Sequence, residues 1–194
     1  NWLYQGKLPS RLLSCLRQKG KRQRPPEKRG KIKIEYSIHQ RPESVKNRKQ
    51  FGHWELDTMV SSRGKSKGTF ATFVERTSRF FLAFKIPDRT SLSMNQVIST
   101  LRKKLPRKAM RTATVDRGSE FAGHMELKKE LKLHLYFADP YCSWQRGSNE
   151  NANGLLREFF PKKTDLALVK EEELQRALFL INSRPRKCLG WKTP

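Results

Sequence analysis

Three carboxylates stand out by position in a chain that has few acids to place. Asp57 lies inside the apolar run HWELDTMV (53–60), where an uncompensated charge costs free energy. Asp116 closes the run RTATVDRG (111–118), and Glu150 sits between Asn149 and Asn151 in SNENANGLLREFF (148–160). Acids number 18 against 42 Lys plus Arg, a net charge of +24, so each acid needs a reason. Singly, each has a plain one: Asp57 pairs with a buried Arg, Asp116 starts the turn before Gly118, and Glu150 lies on a solvated helix face. Together they suit a different chemistry. Mg²⁺ takes oxygen ligands, usually a few carboxylates plus substrate phosphates. Two such ions about 3.5–4 Å apart stabilise both the attacking and the leaving oxygen of a phosphoryl transfer. In a strongly basic protein the bases hold the polyanion and the acids hold the metals.

The elements that must position these residues read as an α/β domain from residue 51. HWELDTMV (53–60), GTFATFVERTS (68–78) and RFFLAFKI (79–86) read as three strands of an antiparallel meander. A helix over 91–105 follows, then a strand at 111–118, a helix at 120–131 and a short strand at 134–138. Two further helices follow, one bearing Glu150 and one over 171–183, whose first turn is acidic as the helix dipole favours. The order is β-β-β-α-β-α-β-α. In the Glu150 helix Ser148 reads as the N-cap, and Ala152, Leu155, Leu156 and Phe159 repeat at helical spacing. That stripe leaves Glu150, Asn153 and Arg157 on the opposite face.

Composition narrows the partners. A pI near 10.5 is the footprint of a polyanion binder. No run of 18 apolar residues is present to span a bilayer and no secretory h-region follows the N-terminus, so the protein is expected in the cytosol. Cys15, Cys142 and Cys188 are odd in number and lack C-x-x-C spacing, which predicts reduced thiols. His39, His53, His124 and His134 form no ligand-like pair. Residues 1–50 hold 15 Lys plus Arg against 3 Glu, half the net charge in a quarter of the chain. Within them RQKGKRQRPPEKRGK (17–31) reads as a flexible basic linker. The expected organisation is the tail of a DNA-binding region at 1–20, a basic linker at 21–50, a catalytic core at 51–160 and a helical extension at 161–194. A first residue of Asn suggests a piece of a longer protein.

Asp57 in GHWELDTMV, Asp116 in TVDRGSEFAGH and Glu150 in FADPYCSWQRGSNENANGLLREFFPKKTDL resemble the DDE triad of an insertion-sequence transposase. Thirty-three residues separate the second Asp from the Glu, as that resemblance requires. WQRGSNENANGLLR, ERTSRF (75–80), RPESVKNRKQFGHWE (41–55) and NSRPRKCLGWKTP (182–194) are similar to the insertion sequence 30 family, so the resemblance covers nearly the whole chain. It implies a retroviral-integrase-like core with a ribonuclease H-like mixed sheet flanked by helices, and a basic N-terminal arm. It implies a polynucleotidyl transferase that works with Mg²⁺ or Mn²⁺, two ions held by Asp57, Asp116 and Glu150. The partners implied are transposon-end and target DNA, with a homo-oligomer on the DNA in the bacterial cytosol at the nucleoid, and no membrane or small-molecule cofactor. Gln145 and Arg146 are expected at phosphates, and Asn153 and Arg157 at the DNA backbone. Trp144 either stacks on an unpaired base or packs as a hydrophobe. Asn149 and Asn151 either orient Glu150 or cap its helix, and Gly147 gives the loop a pivot. Glu55, Glu75 and Glu120 read as surface or capping groups, and His53 as structural. Tyr141 as the nucleophile of a tyrosine recombinase lacks an Arg-His-Arg set.

The family usually places Asn after the second Asp, where this chain has Arg117. A guanidinium aimed into the site would compete for Asp116, about 1–4 kcal/mol at 4 Å depending on the effective dielectric. The expectation is that it does so; the alternative is that it points elsewhere, toward DNA, since neighbouring strand residues face opposite ways. Two other readings stand beside the transposase: a non-catalytic DNA-binding relic, and a ribonuclease-H-like nuclease without strand transfer.

Overall fold

Alternation along the central strands decides what each face of the sheet carries. In β2 (His53–Val60), Trp54 and Leu56 point to one face, while Glu55, Asp57 and Met59 point to the other. In β3 (Thr69–Glu75), Ala71 and Phe73 join Trp54 and Leu56, and Phe70 and Val74 join Met59. The computed structural model describes residues 32–194, apart from 63, 65 and 107, together with residues 7, 9 and 12. The chain divides into Asn1–Lys31 and Ile32–Pro194, and the second unit carries the sheet. The expectations for 1–20 and 17–31 lie outside the described residues, apart from those three.

With β1 (Tyr36–Ser37), β4 (Phe81–Ile86), β5 (Thr112–Val115) and β6 (His134–Phe137), six strands run in the order β1-β6-β5-β2-β3-β4. β2, β3 and β4 form the expected antiparallel meander. β5 and β6 add to β2 in parallel, and β1 lies parallel on the β6 edge. The connections from β4 to β5 and from β5 to β6 run through α2 (Ser91–Lys104) and α3 (His124–Leu131). These cover the first face with Met94, Ile98, Leu101 and Leu127. α4 (Gly147–Phe159) and α5 (Glu171–Asn182) cover the second with Ala152, Leu156, Leu174, Leu178 and Ile181. The result is a mixed α/β sheet flanked by helices, as expected.

Local chemistry sets the ends. Thr90 caps α2 by accepting the Ser93 N–H at 3.3 Å, and Arg102, Lys103 and Lys104 meet the negative end of its dipole. The strand expected at 68–78 stops at Glu75, because that buried carboxylate gathers the N–H groups of Gly52, Thr77 and Ser78 and folds ERTS into a turn. The helix expected over 120–131 is two pieces, a 3-10 turn at Ser119–Phe121 and α3. The folded unit also begins before the expected boundary at 51. Tyr36–Ser37 pair with β6, α1 (Glu43–Lys46) follows, and Val45 is fully buried. At the other end, Leu166, Val169 and α5 belong to the core of the second face rather than to an appendage.

Candidate active site

β2 and β5 pair in parallel at His53–Thr112, Trp54–Ala113 and Glu55–Thr114. Continued by two residues, that register sets Asp57 opposite Asp116, just past the last residue of β5, where strands about 4.8 Å apart make their side chains neighbours. The C-terminal edge of parallel strands is where open α/β sheets place ligands. Each aspartate anchors one oxygen on backbone: Asp57 Oδ1 accepts the Thr58 N–H at 2.8 Å, and Asp116 Oδ1 accepts the Gly118 N–H at 2.8 Å. Both Oδ2 atoms face the same cation. Arg146 Nη1 lies 3.2 Å from Asp57 Oδ2, and Arg146 Nη2 lies 3.2 Å from Asp116 Oδ2. Nη1 also donates to the Leu56 carbonyl at 3.3 Å, and the side chain is 12% exposed.

Arg146, expected at a phosphate, is thus the cation between the two aspartates. Arg117 is not. Its Nε donates to the Ala138 carbonyl at 3.2 Å and its Nη2 lies 3.9 Å from Asp139, because successive residues leaving a strand turn to opposite sides. The expected competition for Asp116 comes from a residue thirty positions later.

One ridge of α4 lies along β2 at a spacing of four residues. Asn149 is fully buried: its N–H and Nδ2 donate to the side chain and carbonyl of Glu55, each at 3.0 Å, and its Oδ1 accepts from Thr72. It therefore clamps α4 to the sheet. Asn153 Nδ2 donates to Asp57 Oδ2 at 3.4 Å, and Arg157 Nη2 donates to the Val60 carbonyl at 3.0 Å. Gln145 is held by Asp139, accepting its N–H at 2.8 Å and donating to its carboxylate at 2.9 Å. Gln145, Arg146, Asn153 and Arg157 are therefore all bonded within the protein. Trp144 is 68% exposed and does not pack as a hydrophobe.

Glu150 is exposed in the first turn of α4, three residues before Asn153, and makes no hydrogen bond or ion pair among the described residues. It is not brought onto the two aspartates, and no three His, Cys, Asp or Glu side chains among the described residues are arranged around a metal position. The helix starts two residues earlier than a Ser148 cap implies, at Gly147, with Arg146 in the cap position. Ser148 is not its cap but is buried and accepts from Arg79 Nη1 at 2.7 Å. Gly147 itself has an ordinary helical φ of −59°; the left-handed residue of this loop is Tyr141, at 63°.

Three acids assigned to surface or caps are instead fully buried. Glu75 does cap its turn. Glu55 pairs with Arg76 at 2.7 Å as well as holding Asn149. Glu120 Oε1 accepts from Thr58 Oγ1 at 2.9 Å and Arg89 Nε at 2.8 Å, leaving Oε2 buried without a partner among the described residues. Gly118 exists to admit it, since a Cβ there would meet Glu120 Oε2 at 2.2 Å and Asp116 Oδ1 at 2.8 Å. No pattern in the sequence marks the burial of Glu55 and Glu120, because their partners are tertiary. Glu55→Ala is expected to lower stability by about 3–5 kcal/mol, by leaving Arg76 buried and unpaired. Denaturant unfolding measures it.

Burial pushes the Asp57 carboxyl above its ordinary value of 3.8; Arg146 opposes this, and Asp116 and Glu120 add to it. Asp57 thus favours folding fully only below its unfolded value, and the contribution is lost as pH rises through the raised folded one. Asp57→Asn is expected to gain stability over the parent as pH rises from about 4 toward neutral. Denaturation of both proteins in EDTA across that window reads the difference.

A hard divalent cation fits this donor set. Two aspartate oxygens already converge on one positive charge, and the other oxygens are pinned by backbone.

The sheet order and the flanking helices give the frame of an integrase-type core. Residues 47–143 match the integrase core domain family, half of the chain, and the chain belongs to that family. It is 40% identical over 193 residues to the transposase for insertion sequence element IS1086 of Cupriavidus metallidurans, covering 97% of this chain and 56% of that protein. It is 41% identical over 177 residues to transposase InsI for insertion sequence element IS30C of Escherichia coli K12, covering 90% and 45%. The chain thus spans about half the length of these transposases. The catalytic core domain of BIV integrase superposes with a TM-score of 0.57 at 23% identity, over 75% of this chain and 91% of that one, which shows the shared ribonuclease H-like fold. No helix among the described residues is long and apolar enough to cross a membrane.

Proposed function

We propose that the chain is the catalytic part of a DDE transposase, with Asp57, Asp116 and Glu150 as ligands for two Mg²⁺ or Mn²⁺ ions. The single observation that carries this reading is the pair of aspartate oxygens facing one cation at 3.2 Å beside the helix that bears Glu150. When bound, divalent ions supply an activated water and stabilise charge on the entering and leaving oxygens. The protein's own residues do the rest. Backbone N–H groups of Thr58 and Gly118 fix the two aspartates, Asn149 fixes α4, and Asn153 orients Asp57. For Glu150 to complete the set, Arg146 leaves Asp57 and Asp116, and its guanidinium is then free to meet the phosphate that enters. Exposed Trp144 stacks on a base beside it.

The reaction runs in two displacements. Water attacks a phosphodiester at the transposon end, and the 3′ oxygen leaves as a hydroxyl. That hydroxyl then attacks a target phosphodiester, joining the two DNAs and releasing the target's own 3′-hydroxyl. The homo-oligomer on DNA and the bacterial cytosolic setting belong to this proposal, supported by the likeness to bacterial transposases. A strand-transfer assay tests it: with Mg²⁺ or Mn²⁺, a pre-cut duplex end with a free 3′-hydroxyl is expected to join plasmid DNA. Hydrolysis of DNA without any joining would favour the nuclease instead.

A further inference from the structure

Four of the sequence stretches that resemble one family meet around a cavity outside the carboxylate site. RPESVKNRKQFGHWE brings Arg48, ERTSRF brings Arg79, NSRPRKCLGWKTP brings Arg186 and Cys188, and WQRGSNENANGLLR brings Ser148 and Asn151. The cavity measures about 290 Å³, and no Asp or Glu among the described residues lines it. The nearest acids are engaged elsewhere: Glu55 is fully buried against Arg76 and Asn149, and Glu75 is fully buried in its own turn.

Three guanidiniums around one cavity repel each other, and the fold holds them there by design of the backbone. Glu75 shapes the turn that ends at Arg79, which takes a left-handed φ of 64°, and Arg79 Nη1 is then fixed on Ser148. Arg48 also sits at a positive φ, 54°. Arg186 Nη2 is held by the Ile181 carbonyl at 3.1 Å. The Nε atoms of Arg79 and Arg186 are buried without partners, and Arg48 makes no hydrogen bond or ion pair among the described residues. Burial pushes Arg48 and Arg186 below the ordinary guanidinium value, and the charge of Arg79 adds to this in both. A cavity lined by three guanidiniums, one of them without an internal partner among the described residues, and by no counter-charge of its own suits an anion.

We infer that this cavity binds a phosphodiester of the DNA on which the carboxylates act. The inference rests on the proposed function. α4 separates the two sites, with Asn153 reaching Asp57 on one side and Ser148 and Asn151 lining the cavity on the other. A helix is about 10–12 Å across. At about 3.4 Å per nucleotide, one strand spans that width in about three steps. The cavity therefore grips the strand a few nucleotides from the bond that reacts, and sets where that bond lies.

The test is duplex binding in EDTA, with no cleavage, as a function of salt. The parent is compared with Arg48→Gln, with the triple variant Arg48→Gln/Arg79→Gln/Arg186→Gln, and with Lys129→Gln on the exposed surface of α3. Arg48→Gln removes no internal bond, so it keeps the test alive if the triple variant misfolds. Arg48→Gln is expected to weaken binding about tenfold, and the loss of one phosphate contact to flatten the log–log salt slope by about 0.9. DNA is also expected to shield Cys188 from alkylation in the parent and not in Arg48→Gln. An unchanged slope and affinity in Arg48→Gln, or an equal loss in Lys129→Gln, overturns the inference. So does inorganic phosphate that raises Tm through Arg48 while the DNA slope stays the same, since the cavity then takes a free anion. Because no cleavage enters the measurement, these failures leave the carboxylate reading standing, and failure of that reading leaves any slope difference intact.

Discussion

Asp57→Asn, Asp116→Asn and Glu150→Gln are each expected to lower metal-dependent DNA cleavage and joining by about 10²–10³-fold, the scale seen when a group that stabilises transition-state charge is removed. Folding and DNA binding in EDTA are expected to persist in all three. For the aspartates the reason is local: each is held by one backbone N–H and shares one guanidinium, so an amide of the same shape keeps the packing and removes a repelling charge. For Glu150 the reason is exposure, since it holds nothing in the fold. Rates from a pre-cut substrate and binding by anisotropy separate the two effects. Near-parent cleavage by any one variant would remove that residue from the ligand set.

Arg146→Gln carries the second large effect. The guanidinium that neutralises Asp57 and Asp116 must be displaced before a metal ion can bind there, and that displacement costs affinity. Without it, Mn²⁺ is expected to bind about tenfold more tightly, a difference of about 1.4 kcal/mol. In EDTA the same variant is expected to be less stable than the parent, because two carboxylates then face each other unneutralised. Added metal should reverse that ordering through linkage between binding and folding. Titration calorimetry and Tm with and without Mn²⁺ read both signs. An unchanged metal affinity would mean that Arg146 does not occupy the metal position. Arg117→Asn, by contrast, is expected to leave metal affinity unchanged, since Arg117 bonds to Ala138 and Asp139.

The elements were legible because their periodicities are. Trp54, Leu56, Phe70 and Phe73 alternate as strands with one or two buried faces must, and Met94, Ile98 and Leu101 recur as a helix must. β1 was invisible because two residues, Tyr36 and Ser37, carry no period, and the pairing of β6 on its edge decides them. The candidate acids were legible by type and spacing. What they touch was not. Whether Arg117 or Arg146 reaches Asp116 depends on which way a residue leaves a strand and on where a loop thirty residues later returns. Ser148 looked like a cap because caps are local, whereas Arg79, which binds it, comes from across the sheet. Glu55 and Glu120 looked like surface or capping acids for the same reason: their donors arrive from other strands, loops and helices.

The central claim is that Asp57, Asp116 and Glu150 are one metal site. The measurement that reaches it most directly is anomalous diffraction at the manganese edge from crystals of the protein soaked in Mn²⁺. Density is expected between Asp57 Oδ2 and Asp116 Oδ2, with Glu150 turned in to complete the ligands and Arg146 moved off both aspartates. Arg146 still bridging Asp57 and Asp116 at saturating Mn²⁺, with no anomalous density beside them, would contradict it.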